Sequence, residues 1–268
     1  MSHSDLIIYK NKKNGYTDFL GDNQQIIRKI RFGYVQLNAG EQFVLKEDEK
    51  YERCIVLLKG KCTVKINDRQ TEQIGFRASV FIDKAWAVYL GIQDSVFIQA
   101  DIPSEFAVCS VPADEKFPAQ VICPEKVREV VRGENAYMRK VFDIVPPDFP
   151  AQRMIVGETL NPPANWSSFP PHKHDCERGD EEAALEEIYY FRTNPSDGFG
   201  YQRIYDETKN IDIPLSVKDH SVVLIPYGYH PVAAAPGYAL YYLWVLAGER
   251  RVLIPYEDPK YRWINTGM

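Results

Sequence analysis

The sequence is short of several things, and each shortage narrows what the chain can be. It has no lysine- or arginine-rich block, and 32 basic residues against 37 acidic ones give a formal charge of −5. That balance argues against nucleic acid or an anionic membrane surface as a partner. The longest apolar run, residues 238–248, is about half of what a membrane-spanning helix requires. The opening MSHSDLIIYK lacks the apolar stretch of a secretory signal, so a cytoplasmic location is expected. Cysteine occurs five times (Cys54, Cys62, Cys109, Cys123 and Cys176) without a CxxC pair. An odd, unpaired set reads as free thiols in a reducing compartment. Helical periodicity is almost missing, and only 126–132 reads as a short helix. Histidine is scarce too, with five in 268 residues.

What is present is a β-forming composition. Hydrophobic residues make up 45% of the chain, enough for a packed core, and 17 tyrosines, 18 prolines and 16 glycines favour many short strands joined by turns. Apolar runs or period-two alternation predict strands at 30–36, 42–45, 53–58, 62–66, 78–82, 87–90 and 95–100. After Glu105, Pro112, Pro118 and Pro124 punctuate a crossover. A second series is then predicted at 137–144, 153–159, 185–191, 199–205, 221–225, 230–233 and 239–247. Strands at such spacing point to β-sandwiches or barrels. The length fits two domains of roughly 130 residues, and the expected boundary falls between 125 and 126. Residues 161–182, rich in proline and charge, form a connection too long to be idle in a compact domain.

Three of the five histidines fall in two short segments of the second half. In Pro170-Pro171-His172-Lys173-His174-Asp175, an HxH pair on a strand presents both rings to one face. In Ile225-Pro226-Tyr227-Gly228-Tyr229-His230-Pro231, a Pro-x-Gly turn delivers a histidine to the start of a strand. Between them, Glu186 and Glu187 open the very apolar stretch Ile188-Tyr189-Tyr190-Phe191. Adjacent strand residues cannot both face inward, so one glutamate can serve as a ligand while the other meets solvent or a salt bridge. A buried carboxylate is costly unless paired or bound to a metal. Three imidazoles and one carboxylate suit one divalent cation, zinc, manganese, iron, nickel or cobalt, and spacing alone does not choose between them.

HxH, a following Glu and P-x-G-x-H on a β-rich chain resemble the cupin superfamily. Twelve residues separate His174 from Glu187 where three or four are usual, and His220 stands where many cupins carry glycine. A more specific resemblance rests on Trp166-Ser-Ser-Phe-Pro-Pro-His-Lys-His-Asp175, Leu185-Glu-Glu-Ile-Tyr-Tyr-Phe-Arg192, Gly198-Phe-Gly-Tyr-Gln-Arg-Ile-Tyr205 and 225–238, continued by Leu243-Trp-Val-Leu-Ala-Gly-Glu249. These segments look like the 5-deoxy-glucuronate isomerases of myo-inositol catabolism (the IolB type), a family related to the 4-deoxy-uronate ketol-isomerases of pectin breakdown. The resemblance is strong over residues 153–250 and thinner before them. It implies an all-β bicupin with two β-sandwich or barrel domains, residues 1–125 without a metal site and 126–268 with one. The Glu-x-Tyr strand start of the sister family selects Glu187 over Glu186, so the implied ligands are His172, His174, Glu187 and His230. The first half holds only His3, and Glu52 and Cys54 make no site there.

The implied reaction is an aldose–ketose isomerisation of 5-deoxy-D-glucuronate to 5-deoxy-2-keto-D-gluconate, by proton or by hydride transfer. A sugar acid needs a cation for its carboxylate, and Lys173, Arg192 and Arg203 are the candidates. Tyr190, Gln202, Tyr229 and Tyr242 are candidates for hydrogen bonds to sugar hydroxyls or for proton relay; none stands out as a base. Competing readings are the pectin-pathway isomerase, an iron-dependent cupin dioxygenase and a non-enzymatic sugar-acid-binding cupin. A homo-oligomer built through sheet edges is expected.

Overall fold

Alternation and turn chemistry give antiparallel sheets almost everywhere in the computed structural model, which describes residues 3–67, 69 and 72–266. Helix is confined to pieces of three or four residues, and none is long and apolar enough to cross a membrane. In the first half a sheet runs Gln120–Ile122, Ala87–Leu90, Tyr51–Ile66, Ser104–Pro112, Arg31–Leu37, Gly15–Leu20, with Gln42–Leu45, Glu72–Arg77 and Val96–Ala100 attached. The predicted strands 53–58 and 62–66 are one strand of 16 residues. It survives Gly60 because that residue bends it rather than ending it. Gly60 has φ +115, and a Cβ there would lie 2.1 Å from Ser104 Oγ.

The second half supplies six strands of a seven-stranded sheet whose edge strand, Ile7–Ile8, comes from the first half, in the order Ile7–Ile8, Val222–Ile225, Glu186–Asn194, Ala239–Ala247, Met154–Asn161, Arg139–Val145, Arg128–Arg132. A second sheet runs Trp166–Ser167, Val232–Ala234, Phe199–Asp206, Ile211–Lys218. Two expectations need correction. Residues 126–132 are not a helix: one turn, Pro124–Lys126, leads into the strand Arg128–Arg132, whose partners 139–143 override a weak local preference. Residues 78–82 are a turn capped by Asp83, which accepts the Ala78 N–H at 2.7 Å. Gly15–Leu20, Ser104–Pro112 and Ile211–Lys218 are strands that the apolar pattern did not reveal.

The seven-stranded sheet has two working faces, set by the period of two. On one face Tyr190 packs on Phe32 and Tyr34 of the first half (ring centroids 5.1 and 6.3 Å), and its hydroxyl meets His220 Nδ1 at 2.5 Å. Arg192 donates to Asp219 (2.8 Å) and to Glu105 of the first half (2.9 Å). Deeper on this face, Arg77 makes a two-pronged bond to Glu158 (2.9 and 2.8 Å), and Glu158 also accepts from Tyr241 at 2.7 Å. Phe32, Tyr34 and Val56 join Tyr190 and Tyr241 in one buried core, so the halves are packed together as a protein interior.

The Arg77–Glu158 pair gives a stability test. The two side chains are 0% and 1% exposed, so Glu158→Ala strands a buried guanidinium and should cost about 3–5 kcal/mol in urea unfolding. An Arg77→Met/Glu158→Leu double variant should cost less than Glu158→Ala alone, because no charge is left behind. A double variant as damaging as the single one would place the cost in packing instead.

Candidate metal centre

The HxH segment forms the short strand His172–Lys173, paired with Tyr256–Glu257. Alternation sends His172 and His174 to one side and Lys173 to the other. The long excursion after His174 does not loosen it. The His174 carbonyl accepts the Leu185 N–H at 2.8 Å, and the Leu185 carbonyl lies 3.0 Å from His174 Nδ1. A carbonyl only accepts, so Nδ1 carries the proton and Nε2 is left to point inward. The same logic holds at His230, whose Nδ1 is 2.9 Å from the Gly228 carbonyl. Glycine is required there: φ is +84, and a Cβ would sit 2.8 Å from the Tyr205 carbonyl oxygen. Pro170, which has only a carbonyl to offer, holds the ring of His172.

Glu187 opens the next strand and points to the same place, while Glu186 faces away and accepts the N–H groups of Arg28 and Lys29 (2.9 and 2.7 Å). One oxygen of Glu187 lies 3.1 Å from His174 Nε2 and 3.3 Å from His230 Nε2. Ring nitrogens of His172, His174 and His230 all lie within 4.8 Å of one another. His230 Nε2 is buried without a hydrogen-bond partner, a costly arrangement unless something else binds it. Burial lowers the pKa of both His172 and His230 to about 3, so both rings are neutral at pH 7 and have lone pairs to offer. Burial also opposes charge on His174, but the hydrogen bond and negative charge of Glu187 outweigh it and raise its pKa. The donor set therefore fits a divalent cation.

His172, His174 and Glu187 form one end of a cleft open to solvent, with His230 buried behind them. Its floor follows the sheet register: Val141 lies beside Thr159, Thr159 beside Tyr242, Tyr189 beside Trp244, and Glu187 beside Leu246. Ser168, Leu253 and Arg139 complete the lining. Tyr189 and Tyr242 stack at 4.3 Å, with hydroxyls on Ser168 (3.0 Å) and Ser167 (2.8 Å). Burial raises the pKa of both phenols, which therefore stay protonated.

Of the other candidates only Tyr242 lines this cleft. Tyr190 and Arg192 are on the opposite face of their strand and serve the junction with the first half. Lys173 is bound to Asp175 and to Glu182 (2.9 Å), where it ties down the long loop. Arg203 is on the outer side of its strand, paired with Asp212 at 2.7 and 2.8 Å. Gln202 is buried behind His230, its amide nitrogen 3.5 Å from the His230 carbonyl. Tyr229 stacks on Tyr205 in a neighbouring cleft. The lining residues that were not foreseen include Arg139, Thr159, Ser168, Tyr189 and Trp244, beside the apolar Val141, Leu246 and Leu253. Tyr189 was accessible to the period-two rule, two positions from Glu187; the others come from distant strands.

Residues 8–264 match the model of the KduI/IolB family. The chain belongs to that family. The 5-deoxy-glucuronate isomerase of Geobacillus kaustophilus strain HTA426 is 41% identical over 232 residues, 86% of this chain and 84% of that protein. The enzyme of the same name from Bacillus subtilis strain 168 is 38% identical over 237 residues, covering 88% and 87%. Among solved structures, an IolB-like protein from Salmonella typhimurium LT2 superposes with a TM-score of 0.92 at 35% identity, over 97% of this chain and 99% of that one. Oxalate decarboxylase from Lactobacillus farciminis shares the fold alone, with a TM-score of 0.69 and 12% identity over 98% of this chain and 90% of that one. These neighbours give the family member a cupin fold.

Gly157 lies under the cleft floor, where an added Cβ would come within 2.2 Å of the Trp244 ring and 2.6 Å of the Phe142 carbonyl oxygen. Gly157→Ala should therefore cost about 1–3 kcal/mol of stability and shift the Trp244 emission, read against a Trp244→Phe control. An unchanged spectrum would mean that the backbone yields instead of the indole.

Proposed function

We propose that this chain is a metal-dependent aldose–ketose isomerase converting the aldose 5-deoxy-D-glucuronate to its 2-ketose isomer, with the C6 carboxylate unchanged, a step of myo-inositol catabolism in the cytoplasm. The observation that carries the reading is the convergence of His172, His174, His230 and Glu187 at the end of one cleft, in a chain 41% identical to a 5-deoxy-glucuronate isomerase. We read the chain as a bicupin in which residues 126–268 hold the metal and residues 1–125 supply a metal-free cupin against which that half packs.

The four side chains would hold one divalent cation, zinc or manganese in preference to iron, nickel or cobalt. When bound, it supplies Lewis acidity for the carbonyl and neighbouring hydroxyl of the sugar. The chain's own groups do the rest. The reaction moves a hydrogen from C2 to C1 and exchanges the oxidation levels of those carbons, with no outside oxidant. The protonated hydroxyls of Tyr189 and Tyr242, with Ser168 and Thr159, are placed to orient sugar hydroxyls. Trp244, Leu246 and Val141 make a dry wall that keeps water from the reacting carbons. The hydroxyls and the Arg139 guanidinium set among these apolar groups favour a sugar acid over the apolar substrate expected of a dioxygenase.

Metal analysis and turnover of 5-deoxy-glucuronate, measured together on the wild type and His174→Ala, test the proposal. About one divalent ion per chain is expected, with both metal affinity and turnover falling by more than about 100-fold in the variant, beyond the usual effect of losing an outer partner. Turnover of the pectin-derived 4-deoxy uronate alone would move the protein to the other branch of the family. Bound metal with turnover of neither would sink the isomerase reading.

Metal uptake should also depend on pH in a defined sense. A proton and a cation compete for His174, whose pKa lies above its ordinary 6.5 in the metal-free protein. Apparent metal affinity should therefore weaken as pH falls through and below that raised value, and binding near pH 7 should release protons. Calorimetry in two buffers of different ionisation enthalpy reads this directly. No proton release would contradict the assignment of His174 as a ligand.

A further inference from the structure

The cleft has a cation that its own residues do not neutralise. Arg139 begins the strand Arg139–Val145 and shares the cleft lining with Val141, His172 and Glu187. Its Nη1 donates to the carbonyls of Tyr137 (3.2 Å) and Phe169 (2.9 Å). These bonds aim the guanidinium but cancel no charge. Among the described residues, no carboxylate forms an ion pair with it, and no hydrogen bond uses its Nε or Nη2. Burial disfavours its charged form, and the groups that act on it include Tyr242, Arg132, Tyr189 and Tyr137, none of them a carboxylate. The arginines that sequence reading had favoured are spent: Arg192 on Asp219 and Glu105, Arg203 on Asp212.

A half-buried guanidinium held by one corner, with its other edge free, is a carboxylate receptor awaiting a ligand. Its strand is three places from that of Glu187 in the sheet, and its Nη1 reaches the Phe169 carbonyl, three residues before His172. Its charge is felt at His172, on the same cleft. We propose that Arg139 is the carboxylate-binding residue of the cleft: its free Nε/Nη2 edge takes the C6 carboxylate of a uronate whose C1 and C2 oxygens lie at the imidazole cluster. This rests on the isomerase reading for the substrate, but not for the chemistry of the receptor, which asks only for a carboxylate on a compact polar ligand.

Metal-loaded wild type, Arg139→Gln and Arg139→Lys are compared on 5-deoxy-glucuronate and on its neutral C6 amide. Wild type should prefer the acid in kcat/KM, and Arg139→Gln should lose about 10- to 100-fold of that preference. Arg139→Lys, a point charge without the fork, should fall between them. Calorimetric binding of D-glucuronate against D-glucose gives a readout that needs no turnover, and metal content in each variant shows that the imidazole cluster is intact. Equal losses on acid and amide, with no loss of discrimination in binding, would overturn the proposal and leave Arg139 as a brace for the Tyr137 and Phe169 carbonyls. If the wild type turns over neither sugar, the isomerase reading fails, while the calorimetric comparison still decides whether Arg139 selects carboxylates.

Discussion

A negative charge buried among three imidazoles governs the second half of this molecule. Glu187 is 4% exposed, and a carboxylate in that position has to be compensated. Two of the three rings are kept neutral by burial, so His174 is the one neighbour that can share a proton with it. The three backbone carbonyls that hold the rings keep the arrangement from relaxing. At His174 and His230 the carbonyl fixes which nitrogen bears hydrogen and leaves Nε2 facing one carboxylate oxygen. A divalent cation resolves the tension that the apoprotein holds, which is why the site makes physical sense as a metal centre.

The same strand that carries Glu187 also joins the two halves. Alternate residues of Glu186–Asn194 face the cleft or the first half, so Tyr189 and Tyr190, neighbours in sequence, do unrelated work. One touches the tyrosine and serine wall of the cleft; the other sits among Phe32, Tyr34 and His220. The Arg77–Glu158–Tyr241 network stiffens the same sheet from behind. The first half thus backs the sheet whose other face carries the cleft.

This division explains what was legible beforehand. The four converging side chains come from short segments in which spacing carries the signal: HxH on a strand, a carboxylate at a strand start, a histidine after a glycine turn. Strand content was readable from alternation, except where Gly60 bends a strand that it was expected to end, or where proline and charge mask one, as in Ile211–Lys218. The cleft's remaining residues were harder. Once Glu187 is fixed inward, alternation excludes Tyr190 and Arg192 and admits Tyr189, but the rule works only along one strand. Arg139 comes from a strand three places away, and nothing local marks it; only the register of the sheet brings it to the cleft. Lys173 shows the converse, a cation beside the histidines in sequence that the backbone turns to the other side.

The residues between His174 and Leu185 are fastened at both ends, by the paired hydrogen bonds of those two residues and by Lys173 bound to Asp175 and Glu182. The loop therefore begins and ends at nearly the same point, and its length is uncoupled from the placement of the imidazoles. Such a segment is free to vary over evolutionary time. Lengthened or recomposed, it can change what approaches the neighbouring surface while the chemistry beside it stays the same. The twelve-residue spacing that sets this chain apart from the general pattern can thus be changed at little risk to the imidazole cluster.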